Sequence, residues 1–236
     1  MTKALASVCT LAYAPMFEMM LHTYIEHHKD DIPWIIFTDG SLTDEIIYRW
    51  NNIYKNIIIK IVDDKLYKKY KMSKHFYAFE TYRLSDYDRV VFFDADLFFI
   101  GNIDRLWDTE LTKEKPIAMK KEVFRNSHNS GLVIISDHIL NEKTYNELYN
   151  LDPLKCGDYF GNDQKVLNFY FNNRIKALNV RYNCFLGEES FCHDALVYHW
   201  FIKPWASGYK KRVNKRMRDM FAKKYNEKVS QFYERI

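Results

Sequence analysis

The run Arg89-Val90-Val91-Phe92-Phe93-Asp94-Ala95-Asp96-Leu97-Phe98-Phe99-Ile100 constrains this chain more than any other stretch. So dense a series of β-branched and aromatic residues reads as a strand buried on both faces. Two carboxylates separated by one residue interrupt it, and unpaired charge is costly to bury. They need a cation. An isolated Asp-X-Asp is also an ordinary solvated turn, but the apolar runs on either side place this pair with a core strand. At a strand end, with a small residue between the acids, such a pair can offer its oxygens to a divalent metal while backbone passes close to a ligand.

The neighbouring segments supply a context for that strand. Ala4 to Thr10 reads as a buried first strand, Leu11 to Pro15 as a loop, and Met16 to His28 as a helix with Pro15 near its start. Trp34–Thr38 is a second strand ending at Asp39-Gly40. A helix follows around Thr43 to Asn51, and Asn56 to Val62 is a third strand. The order β-α-β-α-β implies a parallel, Rossmann-like sheet flanked by helices, with binding loops at the carboxyl ends of the strands. A helical segment from Lys74 to Leu84 leads into the acidic strand. Beyond it, Pro116–Met119 and Gly131–Ile135 read as strands and Thr144 to Leu151 as a helix. Asp163 to Phe171 reads as a helix, with Ile175–Leu178 and Leu196–His199 as later edge or mixed-sheet strands.

A chain of 236 residues that is 47 % hydrophobic can bury a substantial core in one domain, 1–207, followed by a basic amphipathic helical tail, 208–236. The stripe Met217, Met220, Phe221, Tyr225 and Val229 lies opposite many Lys and Arg residues of that tail. The N-terminus shows no secretory cleavage pattern, and no apolar run approaches membrane-spanning length. Cys9, Cys156, Cys184 and Cys192 have no CxxC spacing and are expected as free thiols. These features predict a cytoplasmic protein. The net charge of +4 is concentrated toward the C-terminus, between Lys203 and Arg218, so something acidic is expected to meet it.

Six motifs follow one another in order: Arg89-Val-Val-Phe-Phe-Asp94-Ala-Asp96; Phe98-Phe-Ile-Gly101-Asn102-Ile103-Asp104-Arg-Leu106-Trp107; Asn129-Ser130-Gly131; Asn162-Asp163-Gln164 with Leu167-Asn168; Tyr182-Asn183; and His199 with Lys203-Pro204-Trp205. Together they resemble glycosyltransferase family 8, of the GT-A fold, whose members include glycogenin and bacterial lipopolysaccharide galactosyl- and glucosyltransferases. The resemblance covers about Ala4 to Trp205. It implies a metal-dependent enzyme that moves a hexose from a UDP-sugar to an acceptor hydroxyl of a glycan, glycolipid or protein, with retention at the anomeric carbon. A divalent cation assists departure of the diphosphate by neutralising its charge.

The resemblance also implies roles. Asp94, Asp96 and His199 would be the metal ligands, a mixed oxygen and nitrogen set that suits Mn²⁺ better than Mg²⁺, with Mg²⁺ possible. The donor would meet Tyr13 stacked on its uracil, the backbone of Thr10, Leu11 and Ala12, and Asp94 and Ala95. Asn129 and Ser130 would face the sugar hydroxyls, and Lys203 the phosphates. Asp163 and Gln164 would stand beside the anomeric carbon and carry the catalytic role. Two features depart from the family pattern. The segment between His199 and Lys203 is short and lacks Gly, and a basic residue common on the helix before the acidic strand is replaced by Ala78; either Lys74 or Arg83 supplies that charge, or both are solvated surface charges. The basic tail also fits peripheral contact with an anionic membrane at the cytoplasmic face.

Two other classes share parts of this pattern. A sugar nucleotidyltransferase has the α/β plan and a carboxylate metal site, but typically opens with a Gly-rich basic loop that Leu11-Ala12-Tyr13-Ala14-Pro15 does not provide. A non-catalytic nucleotide-sugar-binding protein, or a nucleic-acid binder using the tail, has no need of Asp94, Asp96 and His199 together; no nucleic acid is expected.

Overall fold

Alternation along the strand β4 (Arg89–Asp94) decides how the layers form: Val90 and Phe92 pack into one apolar cluster, Val91 and Phe93 into another. Period-two alternation with both faces apolar requires cover on both sides of a sheet. The computed structural model describes residues 1–63, 65, 74–122, 126–156, 162–185 and 193–199. With β1 (Lys3–Val8), β2 (Trp34–Thr38), β3 (Ile57–Ile61), β6 (Ile117–Lys121), β7 (His128–Ser136) and β8 (Ile175–Leu178), β4 forms a seven-stranded sheet of order β3-β2-β1-β4-β7-β6-β8. Strands β3, β2, β1 and β4 are parallel, β7 runs antiparallel to β4 and β6, and β8 is parallel to β6.

One face is covered by α1 (Ala14–His27) and α2 (Asp44–Ile53). Pro15 lies in the first turn of α1, where its missing N–H has no partner to lose. Thr43 caps α2 by accepting from the Ile46 N–H. The two helices are joined by a buried charge: Glu18 accepts from Arg49 Nε through both oxygens, at 2.7 and 2.8 Å. A bidentate guanidinium is the partner that makes a fully buried carboxylate tolerable. The other face is covered by a helical segment of 3-10 winding (Lys74–Arg83), α3 (Glu142–Tyr149) and α4 (Asn162–Phe171), through Phe79, Tyr145, Leu148, Val166 and Phe171.

The chain leaves β1 toward β2 and β3, then returns to β4 on the other side of β1. Open α/β sheets leave a crevice at the carboxyl ends where connections part in this way. Register sets Val8 opposite Asp94, so the acidic pair opens into that crevice.

The apolar run that reads as one strand is two. β4 stops at Asp94, the chain turns at Ala95-Asp96, and β5 (Leu97–Phe99) enters a second sheet with β10 (Val197–His199) and β9 (Cys184–Phe185). A carboxylate pair has no place in a ladder covered on both faces, and the turn lets both acids face the crevice. Asn129 and Ser130 belong to β7 itself, which begins three residues before the expected Gly131.

The Gly101–Trp107 motif turns out to brace this second sheet. His28, after the last turn of α1, stacks on Tyr24 with ring centroids 4.4 Å apart. Its Nε2 accepts the Ile103 N–H at 3.3 Å, and Nδ1 lies 3.1 Å from Asp104 Oδ1. Thr23 Oγ1 accepts the Phe99 N–H at 3.2 Å. Thus β5 is latched to α1 by hydrogen bonds that are largely buried. Cys9, Cys156 and Cys184 are free and buried, and Cys192 lies outside the described residues. Among the described residues, no helix is long and apolar enough to cross a membrane.

Burial holds the His28 imidazole neutral, pulling its pKa below the ordinary value although Asp104 and Asp30 oppose the shift. A base with a depressed folded pKa supports the fold above its unfolded value, near 6.5, and loses that support as pH falls through the folded value. His28→Ala is expected to lower unfolding free energy by about 2–3 kcal/mol at neutral pH, from lost packing and hydrogen bonds. In denaturant titrations the gap between parent and variant should narrow toward about pH 5; a gap independent of pH would contradict the neutral latch.

Candidate active site

A cavity of about 360 Å³ opens at the carboxyl ends of β1 and β4, lined by Val8, Thr10, Ala12, Tyr13, Lys74, His75, Phe92, Asp94, Ala95, Asp96 and Asp163. That volume suits a small ligand. After β1 the chain tightens into a single turn, with the Tyr13 N–H donating to Thr10 O at 2.9 Å. The turn is tied to the end of β2: the Leu11 N–H donates to Ser41 Oγ at 2.9 Å, and the Ser41 hydroxyl donates to Asp39. Gly40 permits this connection by adopting a φ of +80°. Asp39 also pairs with the Lys74 ammonium, which lines the cavity. Burial favours the protonated Asp39 carboxyl, but hydrogen bonds from Lys74 and Ser41 outweigh it and hold the group below the usual carboxylate range.

Asp94 and Asp96 face the cavity across the turn between β4 and β5. Antiparallel pairing of β5 with β10 sets His199 opposite Leu97, so the imidazole arrives beside the acids. His199 Nε2 lies 3.2 Å from Asp96 Oδ1 and 3.7 Å from Asp94 Oδ2. One ligand atom from each of the three residues falls within 4.8 Å of the others, close enough to hold one metal ion. The Asp94 side chain keeps 38 % of its surface open to the cavity, yet protein surrounds that cavity. Burial therefore pushes its carboxyl well above the ordinary range, and the Asp96 and Asp163 charges push the same way. Asp163, in the first turn of α4, is also raised by burial, although His75, the Ser130 side chain and the backbone N–H groups of Asp163 and Gln164 favour its anion.

Behind the acids lies a chain of side-chain amides. Asn129 Oδ1 accepts the Gly131 N–H at 2.9 Å and Asn183 Nδ2 at 2.8 Å. Asn129 Nδ2 donates to Gln164 Oε1 at 2.8 Å, and the Ser130 N–H reaches the same oxygen at 3.4 Å. Asn168 pins this end by bonding both backbone groups of His128 and the Gln164 carbonyl. His199 Nδ1 sits 3.0 Å from Asn183 Oδ1. The β6–β7 register shifts between Met119 and Lys120, so the Ser130–Leu132 stretch bulges at this point. Gly131 lies against the His199 ring, and a Cβ there would overlap the ring at Cε1 and Nδ1.

Of the expected site residues, Thr10, Ala12, Tyr13, Lys74, Asp94, Ala95, Asp96 and Asp163 share the cavity wall, with His199 against the acids. Asn129, Ser130 and Gln164 stand behind it as a hydrogen-bonded set. Arg83 goes elsewhere: it donates to Glu142 at 2.7 Å and Glu80 at 3.1 Å, and lines a separate cleft with Lys60 and Val62. A helical residue so far along the segment from Lys74 faces another neighbour. The Leu11 N–H is already given to Ser41. Lys203 lies outside the described residues. Sequence reasoning overlooked His75 and the Asp39–Ser41 brace, although an acid at the carboxyl end of a parallel strand was a usable signal for Asp39.

The family model described as "Glycosyl transferase family 8" matches residues 4–208. The chain belongs to that family. Mouse glycogenin-1 is 23 % identical over 214 residues, covering 81 % of this chain and 62 % of the relative. The glycosyltransferase GlyB of Streptococcus pneumoniae serotype 4 is 27 % identical over 187 residues, covering 74 % of this chain and 46 % of its own. The chain thus spans less than two thirds of the length of these curated relatives. The galactosyltransferase LgtC, solved in complex with donor and acceptor sugar analogs, superposes with a TM-score of 0.70 at 15 % identity, covering 97 % of this chain and 95 % of that one. The shared architecture is the GT-A fold, a mostly parallel sheet flanked by helices.

Overlap between residue 131 and the His199 ring gives a direct test of this packing. Gly131→Ala should lower unfolding free energy by about 1–3 kcal/mol, as over-filled sites do. In a His199→Ala background the same substitution should cause a smaller loss, because the clashing ring is gone and only a tight contact with Asn129 Oδ1, at 3.0 Å, remains. Equal losses in both backgrounds would show that something other than the ring confines Gly131.

Proposed function

We propose that this chain transfers a hexose from a UDP-sugar to an acceptor hydroxyl, with retention, using a divalent cation held by Asp94, Asp96 and His199. The observation that carries the reading is the meeting of two carboxylates and an imidazole beside the cavity at the β1/β4 switch of a family 8 fold. The donor set fits a divalent ion: Asp94 is driven toward its neutral form by burial and by the Asp96 and Asp163 charges, and Asp163 by burial, a crowding that positive charge relieves. Mixed oxygen and nitrogen ligation favours Mn²⁺, with Mg²⁺ the alternative. When bound, the cation supplies charge neutralisation to the departing diphosphate.

The remaining work belongs to the chain's own residues. Tyr13 offers a ring at the cavity wall for the uracil, with Thr10 and Ala12 beside it. Lys74, braced by Asp39, adds positive charge at the rim, and Lys203 is assigned to the donor phosphates from its motif. Asp163 presents its carboxylate where positive charge grows on the anomeric carbon. Gln164 Oε1 already accepts two donors, which makes it a poor nucleophile and assigns Gln164 to holding Asn129 and Ser130 in place. Transfer then proceeds on one face of the sugar: the bond from the anomeric carbon to the phosphate oxygen breaks and the bond to the acceptor oxygen forms. The acceptor's proton passes to the released phosphate oxygen. The acceptor is a glycan, glycolipid or protein hydroxyl. Its lipid-linked form accords with a cytoplasmic enzyme whose basic segment 208–236 contacts an anionic membrane surface.

A panel of UDP-sugars should raise the melting temperature when Mn²⁺ is present, since a ligand at about 100 times its Kd adds about 2.7 kcal/mol. Asp96→Ala should abolish that shift and slow sugar release from the donor by about 10²–10³-fold, the range for loss of one charge-stabilising group. Equal stabilisation in EDTA would sink the metal-dependent reading. Gln164→Ala should lower turnover while leaving UDP affinity near the parent value in a calorimetric titration; lost UDP affinity would refute its assignment.

A further inference from the structure

Two clusters of one histidine and two aspartates occur among the described residues: Asp94, Asp96 and His199, and His28, Asp30 and Asp104. Composition does not separate them. The nitrogen that faces away from the acids does, because a neutral imidazole carries its single proton on one nitrogen, and the hydrogen bond made there decides which.

At His28 the far nitrogen, Nε2, accepts a backbone N–H from Ile103. A backbone amide can only donate, so Nε2 carries the lone pair and Nδ1 the proton, which points at Asp104. A metal at Nδ1 would require a proton on Nε2, opposed to the Ile103 N–H. That cluster is a hydrogen-bonded latch.

The same reasoning at His199 starts from a backbone donor three residues removed. The Gly131 N–H fixes Asn129 with Oδ1 as acceptor. Asn183 meets that oxygen and must therefore present Nδ2, which turns its own Oδ1 toward His199 Nδ1. An amide oxygen can only accept, so His199 carries its proton on Nδ1. Nε2 faces Asp94 and Asp96, and in the neutral ring that nitrogen carries the lone pair. The Asn129 orientation is checked independently at its other end, where Nδ2 donates to Gln164 Oε1, an oxygen that the Ser130 N–H also identifies as an acceptor.

We infer that Asn183, oriented by Asn129 and the Gly131 amide, is a positioning residue that holds His199 in the Nδ1–H tautomer and keeps Nε2 bare for a divalent cation. This rests on the metal reading proposed above. Asn183 reaches neither cation nor donor; it acts through the imidazole, as outer partners of metal-bound histidines do. The same amide chain ends on Gln164, so the metal ligand and the Gln164 carboxamide are oriented by one buried network in which each member has its partner.

The experiment reads the tautomer in EDTA-treated, ¹⁵N-histidine-labelled protein by two-bond ¹H–¹⁵N correlation, with pH raised until the His199 nitrogen shifts themselves report a neutral ring. The His199 signals are assigned by their loss in His199→Gln. The parent should show a protonated Nδ1 and a bare Nε2. Asn183→Ala should move proton density to Nε2 and weaken Mn²⁺ binding, measured by electron paramagnetic resonance, by about 10–100-fold. A protonated Nε2 in the parent overturns the inference, as does an unchanged tautomer in Asn183→Ala. Should that variant fail to fold, the parent spectrum alone decides. A parent with the expected tautomer that binds no Mn²⁺ overturns the metal reading and leaves the role of Asn183 in placing the proton standing.

Discussion

Repulsion among Asp94, Asp96 and Asp163 is the constraint around which the rest of this fold is arranged. Three carboxylates converge on one cavity, where protein surrounds them and charges interact more strongly than in water. Left to themselves they would move apart. They are held by elements that do not yield: parallel pairing of β1 and β4 fixes Asp94 opposite Val8, and the first turn of α4 fixes Asp163 under the Ser130 side chain. Burial and the neighbouring Asp96 and Asp163 charges accordingly lift the Asp94 carboxyl well above the ordinary range.

The second sheet exists to complete that site. β5 carries the chain away from the acids, and β10 returns beside it with His199 at the position opposite Leu97. β9 sits parallel to β10, so Asn183, immediately before it, falls within reach of the same imidazole. None of these short strands is long enough to be stable alone. The latch of His28, Thr23 and Asp104 holds β5 to α1, and the buried amides hold β7 to α4. A histidine with two aspartates serves as scaffold in one place and as candidate ligand in the other. The distinction lies in a single backbone N–H that points at one imidazole, and an amide oxygen that points at the other.

Much of the central sheet was legible because its signals are local. The runs at Trp34–Thr38 and Ile175–Leu178 match the strands residue for residue, and Pro15 and Thr43 mark helix starts. The break at Ala95-Asp96 was not legible as a change of sheet, since Leu97–Phe99 is as apolar as Val90–Phe93 and only its partner differs. Lys74 and Arg83 were indistinguishable as charges on one helical segment; Asp39 draws one to the cavity, while Glu80 and Glu142 draw the other away.

By itself the sequence determined the order of elements, the carboxyl end at which a site must open, and the residue types able to bind a cation, because hydrophobic periodicity and side-chain chemistry are properties of the chain alone. Tertiary structure decided which of those residues meet and in what state. Whether Gly131 is needed as glycine, which amide oxygen faces His199 and which imidazole nitrogen each His–Asp–Asp cluster turns toward its acids all depend on contacts between residues distant in sequence, such as Asn129 with Asn183. Those partners are set only when the sheet closes, so no local pattern encodes them.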